Sequence, residues 1–277
     1  MILDANKMCF TTVANGSYQQ YIPWWLYFLD QAYPESHKMI FLDRHIEENI
    51  EEILSILPFS FVVKENAFDE YGRVDGETIK CLRWLMFDPV FELFDCLSIG
   101  DVDMAICKEF PSYMQQHLSH CELLDIPYSN CIRASSGPNR MGGIHVVKPK
   151  EWFKIMMPVI DKYRSELIAG ELGRRVPKIG AGFNERFLLQ MILESDLGEI
   201  PKNLSDTYWS FLTTSAHHGV HIRLAELGID NLKKSRGYSF RKSEFLAACQ
   251  SSLFDELVIK SPKIGSILRQ VMKSYGA

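Results

Sequence analysis

Asp101 and Asp103 stand one residue apart in the stretch LSIGDVDMAIC, at the end of an apolar run. In an extended chain, residues i and i+2 point to the same side. Two carboxylates so placed repel each other unless a cation lies between or beside them. Mg²⁺ and Mn²⁺ are hard ions that take oxygen ligands and keep positions open for phosphate oxygens. The pair therefore has the makings of a metal clamp on a diphosphate. The competing reading is a turn at a strand end, where aspartate is common.

Other residues along the chain extend this chemistry. Arg83, on a predicted helix ahead of the aspartates, offers the paired hydrogen bonds that suit phosphate or carboxylate, or else makes a surface ion pair. Met141-Gly142-Gly143 lets backbone approach a substrate closely, or turns tightly into a strand. His145, just beyond, is a substrate-side candidate whose plainer role is a partly buried structural histidine. Asn184 and Glu185 open a helix behind a glycine-rich loop. A carboxylate there also suits the helix dipole without any catalytic role. His217, His218 and His221 cluster around Gly219, with Arg223 close behind, and neutral imidazole is a good ligand for Mn²⁺ or Zn²⁺.

The elements that must position these groups alternate strand and helix. Strands are predicted at Lys7–Ala14, Lys38–Asp43, Phe59–Lys64 and Cys96–Ile99. Between them, helices are predicted at Tyr18–Ala32, at Glu47–Leu57 (Ile50, Ile53, Leu54 and Leu57 in helical spacing) and over most of Gly76–Phe94, with a break at Pro89. This alternation predicts an α/β fold with a mainly parallel sheet flanked by helices. Ligands of such sheets bind at the carboxyl ends of strands, where Asp101 and Asp103 lie. Further on, helices are predicted at Phe110–His120, Lys150–Arg164 and Asn184–Glu194, and a strand at Met141–Val147. Asp125–Pro138 is predicted as loop with short strands, and Ile168–Gly182 as a surface loop.

Composition narrows the function classes. A net charge of −5 is not that of a chain built to bind nucleic acid. Seven scattered cysteines with no CxxC pair argue against a disulfide framework or a cysteine zinc site, and favour a reducing compartment. No run of about 18 apolar residues predicts a membrane span. The start, MILDANKMCF, lacks the basic flank and apolar segment of a secretion signal. The expectation is a cytoplasmic protein, at most peripheral on the inner face of a membrane. Lys233–Ala277 differs from the rest, with nine Lys/Arg against three Asp/Glu and an amphipathic end. It is expected to be a basic helical C-terminal extension, either merely solvated or facing anionic lipid or phosphate.

IGDVDMAI resembles the DxD strand of metal-dependent GT-A glycosyltransferases, which use nucleotide-sugar donors. DVDM followed by MGG is similar to the retaining family of the ABO blood-group transferases. ETIKCLRWLMFDPVFELFDCLSIGDVD resembles the glycogenin and lipopolysaccharide galactosyltransferase family. The likeness implies a GT-A, Rossmann-like catalytic domain over 1–232, with a nucleotide-binding half at 1–104 and an acceptor half at 105–232, before the extension at 233–277. It implies that Thr11, Val13 and Ala14 hold uracil and ribose, with Tyr18 stacking on the base and Asp43 nearby. It places Arg83, Asp101, Val102 and Arg223 at the donor, and Met141, Gly142, Gly143 and His145 at the substrate. Asp101 and Asp103 bind the metal, Mn²⁺ or Mg²⁺, completed by His218, His217 or His221. Glu185, with Asn184, lies near the anomeric carbon as transition-state stabiliser, nucleophile or base.

The resemblance implies transfer of galactose or glucose from a UDP-sugar to a glycan or lipid-linked acceptor, with retention, in bacterial surface polysaccharide synthesis. The chain departs from the ABO-like pattern in having Asn-Glu where that family has Asp-Glu. A sugar-nucleotide nucleotidyltransferase or a divalent-metal phosphohydrolase is the alternative. The first usually opens with a basic glycine-rich loop, which ANGSYQQY is not. The second needs more metal ligands than the sequence plainly supplies. A non-catalytic module with a vestigial site would bind no nucleotide.

Overall fold

The computed structural model describes residues 7–72, 78–133, 139–171, 182–211 and 218–276. Strand β1 (Met8–Ala14) leads through a 3₁₀ turn into helix α1 (Ile22–Ala32), followed by β2 (His37–Leu42), α2 (Glu48–Leu54) and β3 (Val62–Lys64). A short helix α3 (Leu82–Leu85) precedes β4 (Cys96–Gly100) and β5 (Met104–Ile106). Next come α4 (Tyr113–Leu124), β6 (Tyr128–Ser129), β7 (Ile132–Arg133), β8 (Arg140–Met141), β9 (His145–Val147) and α5 (Pro149–Ile168). Helices α6 (Phe183–Leu193) and α7 (Leu204–Phe211) are followed by β10 (Gly219–His221) and α8 (Ile222–Glu226). The remainder is helical: α9 (Ile229–Lys233), α10 (Arg236–Phe240), α11 (Lys242–Ala248), α12 (Ser252–Lys260) and α13 (Pro262–Ser274).

Six strands form a mixed sheet in the order β3-β2-β1-β4-β9-β6. The first four run parallel, and β9 lies antiparallel between β4 and β6. The central strands are apolar on both faces because alternate side chains feed two cores. Phe10, Ile40 and Leu42 join one, and Cys9, Met39, Phe41 and Leu97 join the other. Strand β1 is thus the centre of the molecule, with its neighbours β2 and β4 leading away on either side.

The C-terminal helices are built into the first core. Phe245, Phe254, Leu257, Ile264, Leu268 and Val271 are buried in one cluster with Trp24, Trp25 and Phe28 of α1. Trp24 donates its indole N–H to Ser261 Oγ at 3.1 Å, and Tyr27 Oη lies 2.7 Å from Ser251 Oγ. Each fully buried large side chain contributes about 1.5–3 kcal/mol, so the helices are held by apolar contact, while Lys242, Lys260, Lys263, Arg269 and Lys273 face out and Arg241 is buried. The boundary expected at 232/233 falls within α9, next to Leu232 of this shared core.

Some local expectations change. The helix predicted over Gly76–Phe94 is instead two 3₁₀ turns, Thr78–Cys81 and Pro89–Leu93, around the four-residue α3. Pro89 excludes its predecessor from helical geometry, and Asp88 accepts a hydrogen bond from the Val90 N–H at 3.0 Å. The strand predicted at Met141–Val147 is split by Gly142-Gly143 into β8 and β9. Residues 76–77 at the expected helix start, 134–138 at the end of the expected Asp125–Pro138 segment and 172–181 within the expected Ile168–Gly182 loop lie outside the described residues.

Beside the main sheet, β5 and β10 pair antiparallel, with His221 opposite Met104. Their backbones approach so closely that a Cβ on Gly219 would lie 2.0 Å from the Ala105 carbonyl oxygen. Gly219→Ala is therefore expected to separate this pair and destabilise the protein by more than about 3 kcal/mol, as overpacking does at its upper end. A urea melt checks this, and an unchanged midpoint would contradict the register.

Candidate active site

The carboxyl ends of β1 and β4 lie side by side, with Thr12 opposite Gly100. From β1 the chain departs to β2 on one side, while β4 occupies the other. That is the topological switch point at which α/β sheets bind ligands. A cleft of about 180 Å³ opens there, lined by Val13, Asn15, Tyr18, Ile79, Lys80, Arg83, Asp101, Val102, Asp103, Asn184 and His221.

The two aspartates do not share one strand face. Strand β4 ends at Gly100, and Asp101-Val102-Asp103 forms the turn into β5. Their side chains consequently take different partners. Asp101, 40% exposed, is paired with the buried guanidinium of Arg83. Asp103 is only 7% exposed, and its Oδ2 lies 3.9 Å from His221 Nδ1. Burial pushes the Asp103 carboxyl up to about 6, opposed by His221 and reinforced by the nearby Asp101 charge.

Arg83 is the electrostatic centre of the cleft. Burial works against its charge, but Asp101 and Glu185 outweigh burial and hold it protonated. Its Nη2 lies 4.0 Å from Glu185 Oε1, and its guanidinium carbon sits 4.4 Å from the Trp84 ring centroid. Two of its nitrogens, Nε and Nη2, are buried without a hydrogen-bond acceptor. Arg83 lines the cleft, and these two donors lie unused beside it. Glu185, in the first turn of α6, also faces Arg140, whose Nη1 lies 3.6 Å from its Oε2. Gly143 packs beside these carboxylates without lining the cleft: a Cβ there would come within 3.1 Å of Asp101 Oδ2 and 3.6 Å of Glu185 Oε1.

Among the described residues, no three His, Cys, Asp or Glu side chains are gathered tightly enough to hold a metal unaided. Asp103 Oδ1 and His221 Nδ1 are nonetheless buried without a hydrogen-bond partner. An orphaned carboxylate oxygen beside an orphaned imidazole nitrogen, both at the cleft, fits a divalent cation that takes its remaining ligands from substrate and water.

Several expected residues lie elsewhere. His218 is fully buried and both ring nitrogens are engaged, Nδ1 with Glu109 Oε1 at 2.9 Å and Nε2 with His117 Nε2 at 3.0 Å. It does not reach the cleft, because the β10 register brings forward His221 instead. His217 lies outside the described residues. Burial, helped by the nearby Arg83 charge, holds the His145 imidazole down to about 3, and the ring packs among Trp84, Tyr128 and Trp152, away from the cleft. Met141 is a core residue. Thr11 and Ala14 are buried and do not line the cleft, whereas Val13 and Tyr18 do. Gly142 packs against Asn130, and Arg223 pairs with Glu226. Asp43 pairs with Arg44 and does not line the cleft.

Sequence reasoning missed Asn15, Ile79, Lys80 and Arg140. Asn15 carries a turn signal that masks its place at a strand end. Lys80 and Arg83 share a helical spacing that marks one face, which was the available sign for Lys80.

The chain matches no protein-family model and no curated protein. Among solved structures it resembles an active-site mutant of the galactosyltransferase LgtC, at 12% identity over 73% of this chain and 82% of that one, with a TM-score of 0.42. It resembles the glycosyltransferase GlyE of Streptococcus pneumoniae TIGR4 at 10% identity, over 97% of this chain and 64% of that one, with a TM-score of 0.46. A putative nucleotide-diphospho-sugar transferase from Desulfovibrio desulfuricans G20 shares 10% identity over 96% of this chain and 98% of that one, with a TM-score of 0.41. With TM-scores below 0.5, none of these likenesses assigns the chain to a family.

Proposed function

We propose that this protein is a GT-A-type, metal-dependent glycosyltransferase that moves a hexose from a nucleotide diphosphate sugar to an acceptor hydroxyl. The observation that carries the reading is the cleft at the β1/β4 switch point. It holds a buried arginine with unused donors and the Asp103–His221 couple with an orphaned atom on each side chain, and Glu185 lies behind the arginine, outside the cleft lining. Asp103 and His221 would hold Mn²⁺ or Mg²⁺, which when bound neutralises charge growing on the leaving diphosphate. Arg83 would donate to the same phosphate oxygens and so stabilise departure. Tyr18 and Val13 would flank the nucleobase. Glu185, fixed between Arg83 and Arg140, would face the positive charge that develops on the sugar, and Gly143 leaves room for the sugar beside it.

UDP-galactose or UDP-glucose is the donor, retention the outcome and a glycan or lipid-linked hydroxyl the acceptor, on the strength of the sequence resemblance. The exposed Lys260 and Lys273 at the C-terminus suit the inner face of an anionic membrane. No helix among the described residues is long and apolar enough to cross one.

Thermal melts with UDP, GDP, CMP and UDP-sugars, with and without Mn²⁺, test the reading. UDP at a hundredfold excess over its Kd is expected to add about 3 kcal/mol of stability, only when Mn²⁺ is present. No shift with any nucleotide would overturn it. Hydrolysis of a simple phosphoester without nucleotide would point to a phosphohydrolase instead.

A further inference from the structure

Behind the cleft lies a fully buried polar chain that the proposed chemistry does not use. It runs from Glu109 to His218 Nδ1 at 2.9 Å, and from His218 Nε2 to His117 Nε2 at 3.0 Å. His117 Nδ1 then meets Ser129 Oγ at 2.7 Å, and Ser129 Oγ meets His120 Nδ1 at 2.9 Å. His120 Nε2 ends the chain on the Leu204 carbonyl oxygen at 3.2 Å.

The hydrogens in this chain can be counted. Five contacts in series need five hydrogens if the terminal carboxylate and carbonyl both accept. Three neutral imidazoles and one hydroxyl supply four. One further proton is required, on a ring or on Glu109. Arg241 Nη2 and Gln116 Nε2 also reach the Glu109 carboxylate, at 2.5 and 2.6 Å, which favours its ionised form. Burial holds His117 and His120 below their ordinary range, so they stay neutral. The proton belongs on the ring beside the carboxylate.

We infer that His218 is a buried, doubly protonated positioning residue, anchored by Glu109, that holds strand β10 so that His221 faces Asp103. Its backbone supports this assignment. His218 has φ +45°, a left-handed conformation that costs a residue with a Cβ about 1–2 kcal/mol and must be held from outside. Its carbonyl accepts from the Cys107 N–H at 2.9 Å, starting the β5–β10 ladder, and the Ile222 N–H closes it on the Asp103 carbonyl at 2.8 Å. His221 sits three residues from the anchor, so the Glu109–His218 contact sets its register. Arg241, between α10 and α11, ties the C-terminal helices to the same carboxylate. The positioning role rests on the metal site proposed above, whereas the protonation state does not.

Two measurements test the inference. In metal-free wild-type protein with ¹⁵N-labelled histidine at pH 7.5, long-range ¹H–¹⁵N spectra should show His218 with both ring nitrogens protonated. His117 and His120 should each appear as a single neutral tautomer. A neutral His218 overturns the assignment. Mn²⁺ binding is then titrated by electron paramagnetic resonance on wild type, Glu109→Gln, His221→Ala and the double variant. Glu109→Gln should weaken Mn²⁺ binding about 10–100-fold, as loss of an outer support does, and the double variant should bind no more weakly than His221→Ala alone. Additive losses, or unchanged binding in Glu109→Gln, overturn the positioning role. A wild type that takes up no Mn²⁺ overturns the metal reading and the positioning role together, leaving the NMR result to stand by itself.

Discussion

Replacing Arg83 by alanine is expected to lower kcat/KM for the proposed glycosyl transfer by about 10²–10³-fold, the usual cost of removing one aligned donor to a developing anion. The same change should destabilise the fold by about 1–3 kcal/mol, because it removes a buried side chain that packs on Trp84 and pairs with Asp101 and Glu185. Asp101 would lose its contact with Arg83, and among the described residues Glu185 would keep Arg140, 3.6 Å away. Arg83→Lys tests which property matters. Lysine retains the charge but not the planar fork that spans Asp101 and Glu185 while presenting further donors to the cleft. It should recover most of the stability and little of the rate. Steady-state kinetics beside urea melts separate the two effects. An alanine variant with near-normal turnover would remove Arg83 from the chemistry.

What made Arg83 legible was its residue type near an acidic strand end. Its burial, its stacking on Trp84 and its reach to Glu185 were not legible, because they depend on α3 being one turn long and folded against the sheet. The parallel strands could be read because apolar runs bounded by turn residues have few other uses in a chain of this size. Helix α1 was also readable, yet its partner was not: an apolar helix does not say what covers it, and the covering helices lie more than 200 residues downstream in the sequence.

The acidic pair shows a different limit. Period-two reasoning holds only inside a strand, and β4 stops at Gly100, one residue before it is needed. The turn that follows sends Asp101 towards Arg83 and Asp103 towards β10. Likewise, three histidines in five residues could not be ranked by type. The β5–β10 register ranks them, since it puts His221 at the cleft and His218 in the interior. The Arg140–Glu185 contact joins β8 to α6 and left no local trace at all.

The second large effect combines opposite signs in one substitution. Asp103 ionises in the folded, metal-free protein at about 6, against an ordinary value of 3.8, chiefly because it is buried. Between those two values the folded state binds more protons than the unfolded state, so stability falls as pH rises through the window. Above pH 6 the penalty is complete, at most about 3 kcal/mol given about 1.4 kcal/mol for each pH unit. Asp103→Asn removes the charge while keeping the shape. In a chelator at pH 7.5 it is expected to raise Tm by several degrees, taking about 2–4 °C per kcal/mol for a chain of this order. At pH 4 the gain should vanish, because wild-type Asp103 is then protonated. The same variant should lose the Mn²⁺-dependent stabilisation by UDP and at least about 10²-fold of the activity, since an amide neither balances a divalent ion nor accepts it as strongly. An ordinary core substitution would lower stability and activity together. A site that holds an uncompensated carboxylate for a cation trades one for the other. An Asp103→Asn variant that melts below wild type at pH 7.5 and still responds to Mn²⁺ and UDP would show that Asp103 is structural.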